Sequence, residues 1–256
     1  MQNYHEWLNH LSRVIFSGEL TSPRGIPCHE LLGRSLQFDM QHPAILIKER
    51  KLSVKLLFAE AHWILSGSNK LKDIAPYCPR MAEFSDDGRI LAGAYGPRFR
   101  AQVGYVVKAL RRDRWTRQAV MTMWGRNPPR SKDIPCTISA QFLIRPGSDN
   151  DYLHVVINMR SSDAWLGLPY DIFSFSMMAQ FIRLCLWRTL PVKIGILYLN
   201  VGSSHVYGSD IRKAEELISG KRTYGKYLDI GLYDLDTTDD LLAYLRNNKD
   251  CPPRTF

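Results

Sequence analysis

The stretch Tyr152–Arg160 alternates without a break. Leu153, Val155, Ile157 and Met159 fall on one side, and His154, Val156, Asn158 and Arg160 on the other. Successive side chains of a β-strand point to opposite faces, so this spacing predicts a strand with one face in a core and a mixed face ending on Arg160. Such a strand requires a sheet. Strand-like runs recur at Leu31–Phe38, Ala119–Met123, Ile138–Arg145 and Lys193–Tyr207, the last unusually long. Helical periodicity separates them, over Tyr4–Phe16, Leu52–Leu65, Pro97–Arg112, Ile172–Trp187, Asp210–Ser219 and Asp239–Arg246. There is no repeat, low-complexity tract or long linker, and the proline-rich spots at 127–130 and 251–254 are too short to separate domains. One continuous α/β (α+β) domain over residues 1–256 is therefore expected.

Composition narrows the chemistry. With 256 residues, 45% hydrophobic and 23% charged, the chain can bury a sizeable core and is not of the disordered class. Its five cysteines (Cys28, Cys78, Cys136, Cys185 and Cys251) are odd in number and scattered, with no CxxC or Cys/His ligand spacing. That argues against a disulfide framework or a structural zinc and for a reducing, cytoplasmic setting. Met1–Trp7 has neither a basic nor an apolar leader region, and the longest apolar stretch is broken by Gln180 and Arg183, so no secretion signal and no membrane span are expected. The net charge of +9 calls for an anionic partner, a nucleotide, nucleic acid or a phosphate-rich surface, and charge alone does not choose among them. The densest basic run, Arg98, Arg100, Lys108, Arg111, Arg112, Arg114 and Arg117, reads first as the solvated face of a helix.

Several side chains carry chemistry. Cys136 follows a proline and opens a strand. A free cysteine alone packs as a small hydrophobe, but a thiolate beside a cation is a nucleophile, and Arg160 is the candidate cation. In Leu52–Leu65, the spacing of Leu56, Glu60, Trp63 and Ile64 puts Glu60 on the apolar stripe. That glutamate either reaches solvent or an arginine, or is held with a raised pKa as a general acid or base. His205 and Tyr207 alternate onto one face at the end of the long strand. They serve equally as satisfied core groups or as donors framing a ligand hydroxyl.

Five separated motifs then occur in a fixed order: Pro135-Cys136, Gln141-Phe142, Arg160-Ser161-Ser162-Asp163, Leu166-Gly167-Leu168-Pro169-Tyr170-Asp171 and His205-Val206-Tyr207. Together they resemble the thymidylate synthase superfamily and, within it, the deoxycytidylate hydroxymethylases of DNA-modifying phages. Upstream, Arg24, Gly33, Glu60, Leu91-Ala92-Gly93-Ala94-Tyr95-Gly96 and Thr116-Arg117 extend the resemblance, which spans about Arg24 to Tyr207 and leaves 208–256 divergent.

The resemblance implies a mixed β-sheet with surrounding helices, paired sheet to sheet as a homodimer, and methylenetetrahydrofolate as the one-carbon donor. It assigns Cys136 as the nucleophile adding to carbon 6 of a pyrimidine nucleotide. Arg24, Arg160 and Ser161 would hold the phosphate, with Arg117 reaching it from the partner subunit. His205 and Tyr207 would bind the sugar. Glu60 would organise water and proton transfer, while Asp163, Gly167 and Tyr95 would line the folate site. Positive charge then has a nucleotide phosphate to serve, and direct nucleic-acid binding is not expected.

Asp171 reads the base. The synthases resemble one another in carrying asparagine there, suited to uracil; a carboxylate instead accepts from the amino group of cytosine. The resemblance thus favours dCMP, with water completing the product as hydroxymethyl. Thr137 and Met159 resemble the same branch; the lack of a matching tryptophan near Tyr77–Met81 and of the familiar apolar closure in 251–256 implies poorer exclusion of water, which favours the hydroxymethyl outcome, and Gln118 stands where a second phosphate arginine is usual, with Arg114 the candidate substitute.

Overall fold

The computed structural model describes residues 2–126, 130–220 and 235–250. Most of the proline-rich spot at 127–130 and all of the tail from Cys251 lie outside the described residues. In chain order the elements are α1 (Gln2–Ser17), β1 (Glu19–Thr21), β2 (Cys28–Asp39), α2 (Val54–Leu65), α3 (Leu71–Ile74), α4 (Tyr95–Arg112), β3 (Val120–Thr122), β4 (Thr137–Pro146), β5 (Asp151–Asp163), α5 (Leu168–Leu186), β6 (Lys193–Tyr207), α6 (Gly208–Ser219) and α7 (Thr238–Asp250). The strands form one mixed six-stranded sheet in the order β1-β2-β6-β5-β4-β3. All neighbours are antiparallel except β5 and β6, which run parallel.

That parallel pair explains α5. Parallel neighbours cannot be joined by a tight turn, so the chain must cross over, and α5 makes the crossing through the middle of the molecule. A helix apolar on all sides belongs inside a protein, and nearly every residue of α5 is buried. Its two interruptions satisfy each other, Arg183 Nε donating to Gln180 Oε1 at 3.0 Å. Edge-to-face aromatic contacts at 5.4 Å (Phe58–Phe173) and 5.5 Å (Phe99–Phe181) lock α2 and α4 onto α5. Such pairs add about 0.5–1.5 kcal/mol each beyond the area they bury.

Strand alternation appears as expected along β5: Leu153, Val155, Ile157 and Met159 are buried, while His154, Val156 and Asn158 keep partial exposure and Arg160 is exposed. The mixed face carries a polar ladder across four strands. Ser35 donates to Asn200, Asn200 to Asn158 and Asn158 to Ser139, at 2.9, 3.1 and 3.1 Å. At one edge, the Gln102 amide of α4 takes both backbone groups of Thr122 on β3, at 2.9 Å each.

Two glycines of the Leu91–Gly96 motif make room for backbone approach. A Cβ on Gly96 would meet the Ser68 carbonyl at 2.4 Å, and one on Gly93 the Asp133 carboxylate at 2.8 Å. Among the described residues, no helix is long and apolar enough to cross a membrane.

Candidate active site

β5 and β6 end side by side, and in open sheets the space beyond the carboxyl ends of parallel strands is where ligands bind. Paired positions there are Ser161 with Ser203, Ser162 with Ser204 and Asp163 with His205. β4 begins at the same end, so Cys136 enters it: the Arg160 N–H donates to the Cys136 carbonyl at 2.8 Å. The Arg160 side chain grips the same segment, Nε to the Pro135 carbonyl and a terminal N–H to that of Ile134, both at 3.0 Å, with its guanidinium 5.8 Å from the Trp124 ring. Two of five guanidinium donors are thereby used.

Arg24 reaches this end from the other side. It sits in the left-handed region (φ 57, ψ 26), next to Gly25 at φ 77. A non-glycine residue there costs about 1–2 kcal/mol, a strain typical of functional positions. Arg24 donates to the Tyr207 hydroxyl at 3.4 Å, and Tyr207 meets His205 edge to face at 4.9 Å. Glu30, directly across from His205 on β2, hydrogen-bonds the Ser203 hydroxyl.

Asp163 Oδ1 accepts the N–H groups of Trp165 and Leu166 at 2.9 and 2.8 Å, shaping the turn into α5. Arg50 braces that turn with two donations to the Trp165 carbonyl, at 3.1 and 2.6 Å. Gly167 follows, and Asp171 lies on the first turn of α5, its N–H bonded to the Gly167 carbonyl at 3.0 Å. A Cβ on Gly167 would stand in ordinary contact with the Asp163 carbonyl at 3.6 Å and the Asp171 carboxylate at 3.7 Å, so the glycine lies between these two residues.

Glu60, Tyr95 and Asp171 each retain partial solvent access yet are walled in at the floor of this cleft, and that enclosure governs their chemistry. Burial alone lifts the Glu60 carboxyl from 4.5 to about 7. Burial also holds Asp171 well above the usual carboxylate range, aided by Glu60 and Asp163; the Ser162 hydroxyl counters this, although its oxygen makes no hydrogen bond of ordinary geometry. Asp163 is raised by burial too, against the pull of its two backbone amides and His205. Neighbouring carboxyls sharing an enclosed site cannot all ionise near neutrality, so the cluster retains a proton. The Tyr95 phenol, pushed up by burial, Asp171 and Cys136, stays protonated; it accepts the Thr137 N–H at 3.2 Å and stacks on Phe175.

Arg160 does favour the thiolate, as does Arg24, but burial outweighs them, and with Asp171 and Asp133 it sets the Cys136 thiol above the ordinary cysteine range. The free cleft therefore holds a thiol.

Cys136, Glu60, Tyr95, Asp163, Gly167, Asp171, Arg24, Arg160, Ser161, His205 and Tyr207 thus gather at one end of the sheet. Arg117 does not. The Gln141 side chain holds the Arg117 carbonyl at 2.8 Å, five residues up β4 from Cys136, on the order of 17 Å at about 3.4 Å per residue. Arg114 pairs with Asp151 at the far end of β5 and is no replacement phosphate ligand within this chain. Sequence reasoning missed Asp133, whose carboxylate accepts the Gly93 N–H at 2.6 Å, and also Trp124, Glu30 and Arg50. Of these only Asp133, three residues before Cys136, carried any positional hint.

The family model for thymidylate synthase matches residues 5–242. The chain belongs to the thymidylate synthase family. Thymidylate synthases from three strains of Francisella tularensis subsp. holarctica are 24% identical over 237 residues, covering 84% of each chain. The thymidylate synthase family consists of transferases that move a one-carbon unit from methylenetetrahydrofolate to a pyrimidine nucleotide, and the mixed sheet with its surrounding helices agrees with that fold.

Proposed function

We propose that this member of the family is a cytidylate 5-hydroxymethylase, with dCMP as its nucleotide. The observation carrying the reading is Asp171, a carboxyl enclosed on the first turn of α5 and held well above the usual carboxylate range by burial, aided by Glu60 and Asp163. An ionised oxygen accepts from the 4-amino group of cytosine. A protonated one donates to ring nitrogen 3 as charge builds there. In its ionised form the same group faces the 4-carbonyl of uracil as a second acceptor, a buried mismatch costing about 1–3 kcal/mol.

Arg24, Arg160 and Ser161 hold the phosphate, since charge-assisted hydrogen bonds to a dianion are about twice as strong as neutral ones. His205 and Tyr207 hold the sugar. The Cys136 sulfur gives up its proton to solvent and bonds to carbon 6, breaking the 5,6 double bond and leaving carbon 5 electron-rich; after carbon 5 has taken up the carbon unit it loses its proton, and addition of water at the new exocyclic carbon lets the sulfur leave carbon 6 and restores the double bond. Methylenetetrahydrofolate supplies carbon at the oxidation level of formaldehyde, and the patch of Gly167, Asp163 and the half-buried Leu166 and Tyr170 suits a flat heterocycle. Glu60 orders the water whose oxygen becomes the hydroxymethyl oxygen, and its carboxyl near 7 can both take and return that proton.

A sheet-to-sheet homodimer completes the proposal. Its support is the half-exposed ladder face of the sheet and the position of Arg117, too far along β4 to reach its own chain's cleft. The 24% identity to thymidylate synthases makes uridylate with a methyl product the competing reading. Incubation with dCMP, CMP or dUMP, methylenetetrahydrofolate and labelled water, followed by product mass, separates them. A labelled oxygen in 5-hydroxymethyl-dCMP is expected; a methyl product alone, or turnover of dUMP alone, would overturn the proposal.

A further inference from the structure

Behind the cleft lies a buried histidine that the chemistry so far does not use. His10 sits on the inner face of α1 with 2% of its surface exposed, and its ring is neutral: burial, with Arg34 and Arg13 alongside, brings its pKa from 6.5 to about 4. A neutral imidazole carries a single N–H. His10 Nε2 lies 2.7 Å from the Ser204 hydroxyl, while the buried Nδ1 has no hydrogen-bond partner among the described residues. A bare lone pair is tolerated inside a protein more readily than an orphaned N–H, so the proton belongs on Nε2 and is donated to Ser204. A second anchor fixes the helix here. Trp7, three residues earlier on α1, donates its Nε1–H to the Ala164 carbonyl at 2.8 Å, just beyond Asp163.

Ser204 is fully enclosed, and its register partner across the parallel pair is Ser162 of β5, 4% exposed. Neighbouring strands run about 4.8 Å apart, a gap that two facing hydroxyls can bridge with one hydrogen bond. Ser204 accepts from His10 and has its own proton to place. Ser162 is the buried oxygen across that gap, and it lacks a partner of ordinary geometry. Ser162 in turn lies close enough to Asp171 on α5 to favour the ionised carboxyl. Each link hands the donor role onward, from imidazole to Ser204, from Ser204 to Ser162 and from Ser162 to the carboxylate. Hydrogen bonds in such a chain polarise one another.

We infer that His10 is a positioning residue for Asp171, aiming the Ser162 hydroxyl at that carboxyl through Ser204 from outside the cleft. The titratable groups facing Asp171 are Glu60 from α2, Asp163 from β5, Tyr95 from α4 and Cys136 at the head of β4, and those facing His10 are Arg13 and Arg34. Glu60 and Asp163 oppose ionisation of Asp171, and the hydroxyl chain works against them. Without it the carboxyl would stay protonated to higher pH and offer a base amino group one acceptor fewer. This role is the same whichever base Asp171 meets, so failure of dCMP as a substrate would leave it standing.

The test follows Asp171 directly, by carboxyl-carbon NMR of the full-length protein isotopically labelled at aspartate, its signal assigned by loss in Asp171→Asn. His10→Phe should move the titration midpoint upward by about one pH unit, the worth of one hydrogen bond to a charged group. His10→Gln, which supplies an amide N–H, should restore most of that shift. Ser162→Ala removes the last link, so adding His10→Phe to it should change nothing more. A histidine that merely packs α1 would lower the melting temperature and leave the Asp171 titration in place, and that result would overturn the assignment. So would shifts from His10→Phe and Ser162→Ala that add. Ser204→Ala, a smaller change, reads the same link and should give the same upward shift if His10→Phe does not fold.

Discussion

Replacing Glu60 by glutamine should make the protein comparatively more stable in alkali. The carboxyl belongs near 4.5 in an unfolded chain and near 7 in the folded one, so folding favours its protonated form. Stability from that preference is complete below pH 4.5, declines as pH rises, and is gone once pH passes about 7. At 1.36 kcal/mol per pH unit, the interval from 4.5 to about 7 is worth about 3 kcal/mol. Glutamine keeps the shape and cannot ionise. Relative to the native protein, Glu60→Gln should therefore gain about 3 kcal/mol on moving from acid to mild alkali, or about 1 M in urea midpoint for a slope near 3 kcal/mol/M. Urea unfolding of both proteins on either side of the interval measures it directly. An equal midpoint difference at both pH values would refute the claim that enclosure sets this carboxyl. The same ionisation near 7 should shape kcat/KM of the native protein and vanish from the slower variant.

Asp171→Asn should move kcat/KM from dCMP toward dUMP by about 10- to 100-fold, following the 1–3 kcal/mol mismatch; loss of both activities would count against base reading by this residue. Cys136 should react with iodoacetamide more slowly than free cysteine at neutral pH, accelerate as pH rises, and slow further in Arg160→Ala, because burial raises the thiol while Arg160 pulls it down. Faster labelling than free cysteine would contradict this. Gly96→Ala should cost about 1–3 kcal/mol in thermal or urea unfolding, since its Cβ meets the Ser68 backbone. Gly104→Ala, with nothing within 4 Å on the same helix, should stabilise by about 0.5–1 kcal/mol.

The elements that strand and helix periodicity foretold are present, because each has a face that must be buried: β6 spans the residues expected, and α1, α2, α4 and α5 differ by a few residues at their ends. What fell short was local. β1 and α3, at three and four residues, are too brief to show a period. β2 starts three residues before the apolar run because Cys28, His29 and Glu30 pair with Tyr207, Val206 and His205, a demand made by β6 and not by local sequence. In the cleft, the members of recognisable motifs could be foreseen. Asp133 and Glu30 could not, since their partners lie 40 and 173 positions away. The resting state of Cys136 is not legible in the sequence, because a neighbouring arginine is visible there whereas burial is not.

The Gln102 amide on Thr122 has a consequence for assembly. A β-sheet can extend indefinitely wherever its last strand leaves backbone donors and acceptors unmet. Here the β3 margin is occupied at Thr122 by a side chain from its own chain, and at the opposite margin β1 covers only Cys28–Glu30 of β2. Growth by strand addition is thus blocked at Thr122, whereas β2 beyond Glu30 has no strand neighbour on its outer side among the described residues and is the margin where a further strand could pair.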